Sequence, residues 1–305
     1  MKENKNTLLV ILAFFAIYVV WGSTYLLNKI AVAEIPPFFL AGIRFVTAGA
    51  LIFGIAKLSG QSIGITKKQF FNVTFLGFLF LSFGNGVVVW ALKFVDSNFA
   101  ALEISAQPLV ILLMMWALQG KKIRPMSLLG VLLGMLGIYL LVSQKDILEQ
   151  ENAVAGIIMI FSAMLAWAYG SLFVTKADLP KNYFVNTGYQ MFMGGILLFA
   201  FSFIFQERWS LPNDWSNEVQ WSIVLLIIFG SIVAFTSFNF LLKVVSPEKV
   251  ATNTYVNPIV AMLLGWHFLN EQITVQSMVA AGILLTGVYF INTKKTLKIL
   301  NRFKK

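Results

Sequence analysis

Apolar residues in this chain come in long blocks rather than in strict alternation or a narrow helical stripe. Ten blocks, 8–28, 38–57, 69–92, 98–118, 125–143, 154–175, 184–205, 219–242, 248–268 and 274–292, each approach the length that crosses a bilayer, for which roughly 20 mostly apolar residues suffice. Backbone polar groups inside lipid must be satisfied within the protein, so blocks of this kind read as helices. Connections such as 93–97 are too short to cross back, which makes neighbouring helices antiparallel. The pattern predicts an all-α membrane protein with ten transmembrane helices.

Lysine and arginine alternate across the connections. One end of the predicted bundle holds Lys2 and Lys5, then Lys57, Lys67 and Lys68, then Lys121, Lys122 and Arg124, then Lys176 and Lys181, then Lys243 and Lys249, and finally a tail with six basic residues. The other end holds only Lys29, Lys93, Lys145 and Arg208. The positive-inside tendency places the lysine-rich end, and with it both termini, in the cytoplasm. The first apolar run continues past Tyr25, longer than the core of a signal peptide, so an uncleaved first helix is expected.

Composition sharpens this picture. Only 12% of residues are charged and 58% are hydrophobic, against roughly 25% charged in soluble domains, too few to cover a water-facing surface. The net charge of +10 sits in the lysine-rich segments and the tail, where it suits anionic lipid and gives no reason to invoke nucleic acid. Cysteine is absent, the single histidine is His267, and no phosphate-loop motif occurs. No metal or cofactor is therefore expected, nor direct use of ATP. His267, near the lysine-poor end of the ninth helix, reads as an interfacial hydrogen-bonding group.

The chain also repeats itself. Lys93, Ala101, Pro108, Trp116, Ile123, Ser127, Gly137 and Tyr139 recur as Lys243, Ala251, Pro258, Trp266, Ile273, Ser277, Gly287 and Tyr289, all at an offset of 150. Trp21, Arg44 and Gly49 answer more loosely to Trp167, Gln190 and Gly195. A repeat of five helices is odd-numbered, so the second copy enters the membrane inverted. The expected organisation is a first repeat over 1–143, a linker over 144–153, a second repeat over 154–292 and a basic cytoplasmic tail over 293–305. Inverted repeats mark secondary transporters, whose substrate site lies near the midplane between the halves.

Ionisable groups inside spans are costly and point to function. Arg44 and Glu103 lie inside helices two and four at equal depth, roughly 8–9 Å from the lysine-poor end at 1.5 Å per residue. Two readings stand: a structural ion pair, or opposite charges that hold a zwitterionic or polar substrate, with proton coupling at Glu103 as an extension. Gln107 follows Glu103 by one turn, and Asn85 lies at similar depth on helix three. Asn253, Asn257 and Gln190 are the polar, uncharged mates of Glu103, Gln107 and Arg44. Cavity lining and bonding between helices are equal alternatives for Asn253 and Asn257. Trp21, Tyr25 and Trp167 are aromatic candidates for a cavity wall. Pro108 and Pro258 each remove a backbone donor in mid-helix, as fixed kinks or as hinges. Gly130, Gly134 and Gly137, and likewise Gly282, Thr286 and Gly287, form small-residue stripes for close helix packing.

Trp21-Gly22-Ser23-Thr24, Arg44-Phe45, Gly84-Asn85-Gly86, Trp90-Ala91-Leu92, Ala100-Ala101-Leu102, Pro108-Leu109, Leu269-Asn270-Glu271-Gln272-Ile273 and Gly287-Val288-Tyr289 together resemble the EamA family of the drug/metabolite transporter superfamily, and within it a YedA-like branch of exporters. The sequence departs from that pattern at Gly120-Lys121-Lys122, where the family usually carries an acidic residue. The resemblance implies a ten-helix exporter of small metabolites in a bacterial inner membrane, with a cavity lined mainly by helices one to four and six to nine. The reading is a secondary transporter of small amphipathic metabolites or amino acids working by alternating access, and not an enzyme. A proton-independent facilitator and a non-transporting scaffold are the alternatives. Proton coupling and a homodimer are both compatible with it.

Overall fold

The computed structural model describes residues 2–120, 123–144, 151–245, 250 and 253–292. Among these residues, seven helices are long and apolar enough to cross a membrane: α1 (Thr7–Val32), α2 (Pro37–Leu58), α3 (Lys67–Ala91), α4 (Ser97–Gln119), α6 (Ala153–Val174), α7 (Tyr183–Ile204) and α8 (Asn217–Leu241). Three shorter apolar helices complete the set, α5 (Pro125–Val142), α9 (Asn253–Leu269) and α10 (Val275–Asn292). These are the ten expected spans, arranged as two inverted five-helix repeats. The start of block 248–268 falls partly outside the described residues, as do Lys121, Lys122, Lys145, Lys249 and the tail. Large apolar side chains such as Leu58, Phe71, Leu132, Phe203 and Val275 face outward from the bundle, as lipid contact requires.

The repeat is written in the backbone as well as in the side chains. Apart from Asn152, the residues with positive φ form two pairs, Gly60 with Gln206 and Gly120 with Asn270. Each pair occupies equivalent places, after α2 and α7 and after α4 and α9. Glycine and asparagine tolerate this left-handed conformation and end helices there. A second shared signature is a π-helical stretch eight residues long in each third helix, Phe78–Asn85 in α3 and Leu226–Val233 in α8. α1 carries a shorter one, Ala16–Val20. Such stretches widen the helix locally and are common at functional sites.

Two helix pairs join the halves closely. A Cβ on Gly49 of α2 would lie 2.6 Å from the Phe192 backbone nitrogen of α7, and one on Gly195 would lie 2.6 Å from that of Val46. In the second pair, a Cβ on Gly287 of α10 would lie 2.7 Å from the Gly130 carbonyl of α5, and one on Gly137 2.9 Å from the Leu284 nitrogen. Without an internal hydrophobic drive in lipid, contacts this close between small residues supply the packing. Gly282 departs from the expected stripe: nothing lies within 4 Å of its would-be Cβ, so it faces away from α5.

Candidate functional site

The third-helix π stretches place serines against the opposite half. Ser82 Oγ donates to the Gly194 carbonyl of α7 at 2.8 Å. Ser231 Oγ accepts from Arg44 Nε of α2 at 2.7 Å. Arg44 is 2% exposed and reaches further to Asn28 Oδ1 of α1 at 3.5 Å. Its Cζ lies 4.7 Å from the Phe45 ring centroid. Gly230 makes room for it, because a Cβ there would come 3.1 Å from Nη2. Equal depth therefore does not make Arg44 and Glu103 partners. Arg44 instead gives Nε to the Ser231 hydroxyl of α8 and Nη1 to the Asn28 amide of α1, and Glu103 is not among its hydrogen-bond partners.

Glu103 is 3% exposed, and its Oε2 accepts no hydrogen bond. It sits just before the point where α4 divides into Ser97–Ile104 and Gln107–Gln119. Pro108 cannot donate to the Ile104 carbonyl, and the turn tightens there. Ala106 N donates to Glu103 O at 3.0 Å, and Leu109 N to Ala106 O at 2.9 Å, both three residues back. Pro258, by contrast, lies inside a helix that continues from Asn253 to Leu269. The two prolines are equivalent in sequence but not in their effect on the backbone.

Gln107 and Asn257 are equivalent in both respects. Gln107 Nε2 donates to the Met164 carbonyl of α6 at 3.0 Å. Asn257, with its amide nitrogen turned toward α1, donates to Ile17 O at 2.9 Å and Tyr18 O at 2.8 Å. Tyr18 and Met164 are themselves repeat mates. Of the two readings for Asn257, the contact seen is bonding between helices, on carbonyls within the α1 π stretch. Asn253 is half-buried at the start of α9. Gln190 is buried on α7 and donates to Asn186 Oδ1 at 3.2 Å.

The aromatic candidates converge. Trp21 and Trp167, repeat mates, meet edge to face with centroids 6.2 Å apart. Phe238 lies 5.2 Å from Trp21 and 6.4 Å from Trp167, and Phe80 lies 4.7 Å from Trp167. Both tryptophans and Tyr25 remain half-buried. Asn85 follows Gly84, whose would-be Cβ lies 3.3 Å from the Trp167 ring, and its Oδ1 is buried without a partner.

Sequence reasoning passed over the residues that bind the halves at the lysine-poor end. Glu271, in the turn after α9, accepts from Ser97 N at 2.8 Å, Ser97 Oγ at 3.0 Å and Asn98 N at 3.1 Å, and so caps α4. Gly265 lets that carboxylate fold back, since a Cβ there would collide with Oε2. Glu207, after α7, accepts from Phe38 N at 3.1 Å and Phe39 N at 2.8 Å at the start of α2. Glu34, after α1, accepts from Ser216 N at 2.9 Å at the start of α8. Ser216 N–H holds the Glu34 carboxyl below the usual carboxylate range. Gln144, after α5, accepts from Ser277 Oγ of α10 at 3.0 Å and from Thr274 Oγ1. Each of these four ties crosses between halves. Lys29 of α1 ends the neighbouring α3, donating to Leu92 O and Val95 O at 2.7 Å each. Cations favour such helix C-termini.

Comparison with known proteins follows the same division of the chain. Residues 8–143 and 154–293 each match the EamA-like transporter family. The chain is 31% identical over 286 residues to an uncharacterized inner membrane transporter, YedA, of Escherichia coli, covering 93% of this chain and 91% of that one. It is 21% identical to an uncharacterized transporter, YoaV, of Bacillus subtilis, over 93% of this chain and 96% of that one. A solved crystal structure at 20% identity aligns over 98% of this chain and 99% of its own, with a TM-score of 0.67.

Proposed function

Because the chain belongs to the EamA-like transporter family, and is thus a membrane transporter and not an enzyme, we propose that it exports small amphipathic metabolites or amino acids across the inner membrane by alternating access. The lysine-rich end and both termini lie in the cytoplasm in this reading, and the lysine-poor end faces outward. The substrate passes between the halves, along α1, α3, α4 and α6, past the paired tryptophans.

The observation that carries the reading is the set of cross-half ties at one end only of this kind. Alternating access needs an end that the two halves hold shut and can release. The carboxylates of Glu207 and Glu271 hold the first turns of α2 and α4, and both must let go before the halves can part there. The π stretches of α3 and α8, equivalent in the two repeats, are suited to take up the accompanying change in helix geometry.

Flux of a metabolite mixture into and out of liposomes containing the purified protein tests transport against the scaffold alternative. Repeating it with and without a pH gradient separates a proton-coupled carrier from a facilitator. The gate is tested by a single cysteine at Ser23 in this cysteine-free chain. An impermeant maleimide added from outside should modify it slowly in the parent protein and faster once Glu207 and Glu271 are both changed to Gln. Equal rates would remove the two glutamates from the gate.

A further inference from the structure

Helices α3 and α4 each present a buried oxygen with no hydrogen-bond partner beside the same stretch of α6. On α3 it is Asn85 Oδ1, and on α4 Glu103 Oε2. Their neighbours locate them. Ile104, next to Glu103, packs with Phe83, Val87, Val88, Met159 and Ala163 in one apolar cluster. Gln107, one turn on from Glu103, is bonded to Met164 O, and Gly84, next to Asn85, lies against Trp167. The two acceptors thus flank the α6 segment 159–167 and the aromatic wall that Trp167 builds with Trp21, Phe80 and Phe238.

Among the described residues, no donor reaches either oxygen. Arg44 is committed to Ser231 and Asn28, and Lys29 to the end of α3. A buried carboxyl without a partner is expensive, and such groups inside a bundle mark ligand paths. Asn85 Oδ1 can only accept, and Glu103 Oε2 accepts once ionised, the form that a neighbouring cation favours.

We propose that Glu103 and Asn85 receive an ammonium group, so that the transported class is organic amines with an apolar or aromatic body. This rests on the transporter reading above and narrows it. Ammonium N–H groups donate to Glu103 Oε2 and Asn85 Oδ1, and the body lies along Trp167 and Trp21, whose ring faces attract a cation. A substrate carboxylate finds no equivalent welcome there, because Asn85 Oδ1 and Glu103 Oε2 both present acceptor oxygens that repel it. The ammonium, not the carboxylate, is therefore the group required for recognition.

Equilibrium dialysis of the purified full chain in detergent against phenethylamine, tryptamine, butylamine and phenylacetate tests this. At least one amine should bind, phenylacetate should not, and Glu103→Gln should weaken amine binding tenfold or more, with Glu103→Asp losing less and Asn85→Ala intermediate. Binding of phenylacetate as tightly as phenethylamine, unchanged amine binding in Glu103→Gln, or no binding by any of the three amines would overturn the assignment. If Glu103→Gln does not fold, the contrast between amine and acid on the parent protein decides alone. The liposome flux assay judges the transporter reading independently: flux of acids or neutral solutes without amine binding removes the substrate class and leaves the transporter standing.

Discussion

At the lysine-poor end, the first turns of α2, α4, α8 and α10 are tied to the opposite half, α8 and α10 in addition to caps of their own; at the lysine-rich end, α3 and α7 are capped by their own residues. Glu207 and Glu271 cap α2 and α4 across the pseudo-twofold relation, and Glu34 and Gln144 tie down the first turns of α8 and α10. At the other end α3 starts with its own capping box, Thr66 with Gln69, and α7 with its own Asn182. Contacts between halves exist there too, but they come from neutral side-chain donors on exposed or half-buried groups: Gln69 on the Asp178 carboxylate, Asn72 on the Asp178 carbonyl, Asn182 on Gln61 and Tyr189 on the Ile63 carbonyl. Charged caps on buried backbone donors are worth more than neutral bonds that water can replace. One end is locked between halves and the other is closed within each half, so opposite consequences follow from removing a cap at each.

The largest effect is expected at Glu271, which is 7% exposed and accepts three bonds. Glu271→Ala should cost about 2–3 kcal/mol, since it leaves buried donors without a charged acceptor, read as a lower unfolding temperature in detergent. It should also speed outside labelling of a cysteine at Ser23. Gly265→Ala should reproduce both changes by displacing the carboxylate, and a stable Gly265→Ala protein would mean that the turn can move aside. Glu207→Ala comes next. Loss of an N-terminal cap on α2 should cost roughly 1–2 kcal/mol, and the same labelling assay should report opening; a stability loss without opening would make this tie purely structural.

Thr66→Ala provides the contrast. It should lower stability by roughly 1 kcal/mol, the ordinary worth of a cap, while leaving labelling from outside unchanged. Faster labelling would erase the distinction between the two ends. The smallest effect belongs to Glu34. Its carboxyl is held below its ordinary value by the Ser216 backbone and side chain, so the stability it lends is full above the unfolded-state pKa and is lost as pH falls through the lowered folded value. Glu34→Gln should lower stability slightly near neutrality, leave it little changed at low pH, and so flatten the acid side of a stability–pH curve.

The spans were legible because each apolar block is long and bounded by charge, and the inversion because Pro, Trp, Lys and Gly recur at one offset around an odd number of helices. The π stretches were not: an extra residue in a helical turn leaves a wholly apolar run looking the same. Depth along a helix placed Arg44 and Glu103 at one level, but direction around the axis decides partners. That depends on the α8 π stretch, which turns Ser231 and Gly230 toward Arg44. Trp21 and Trp167 could be paired from the repeat alone, since mates on inverted first helices approach the same axis. Glu34, Glu207 and Glu271 carried a readable hint, acidic residues in otherwise lysine-poor connections. A loop glutamate does not announce which helix it serves, because the helices it caps lie more than 150 positions away in each case.

The Glu271 cap also bears on how the two repeats came to share one chain. Its repeat mate is Lys121. Two copies of the first half, assembled as an antiparallel pair, would bring Lys121 of one copy to the first turn of α4 in the other, where the helix dipole repels a cation. Two copies of the second half would bring Glu271 toward Glu248, its equivalent of Asn98. Neither half can therefore stand in for its sibling at this junction, and a gene for either one alone would not yield this lock. With an acidic residue in one repeat and a basic one in the other, the two halves are no longer interchangeable at this junction.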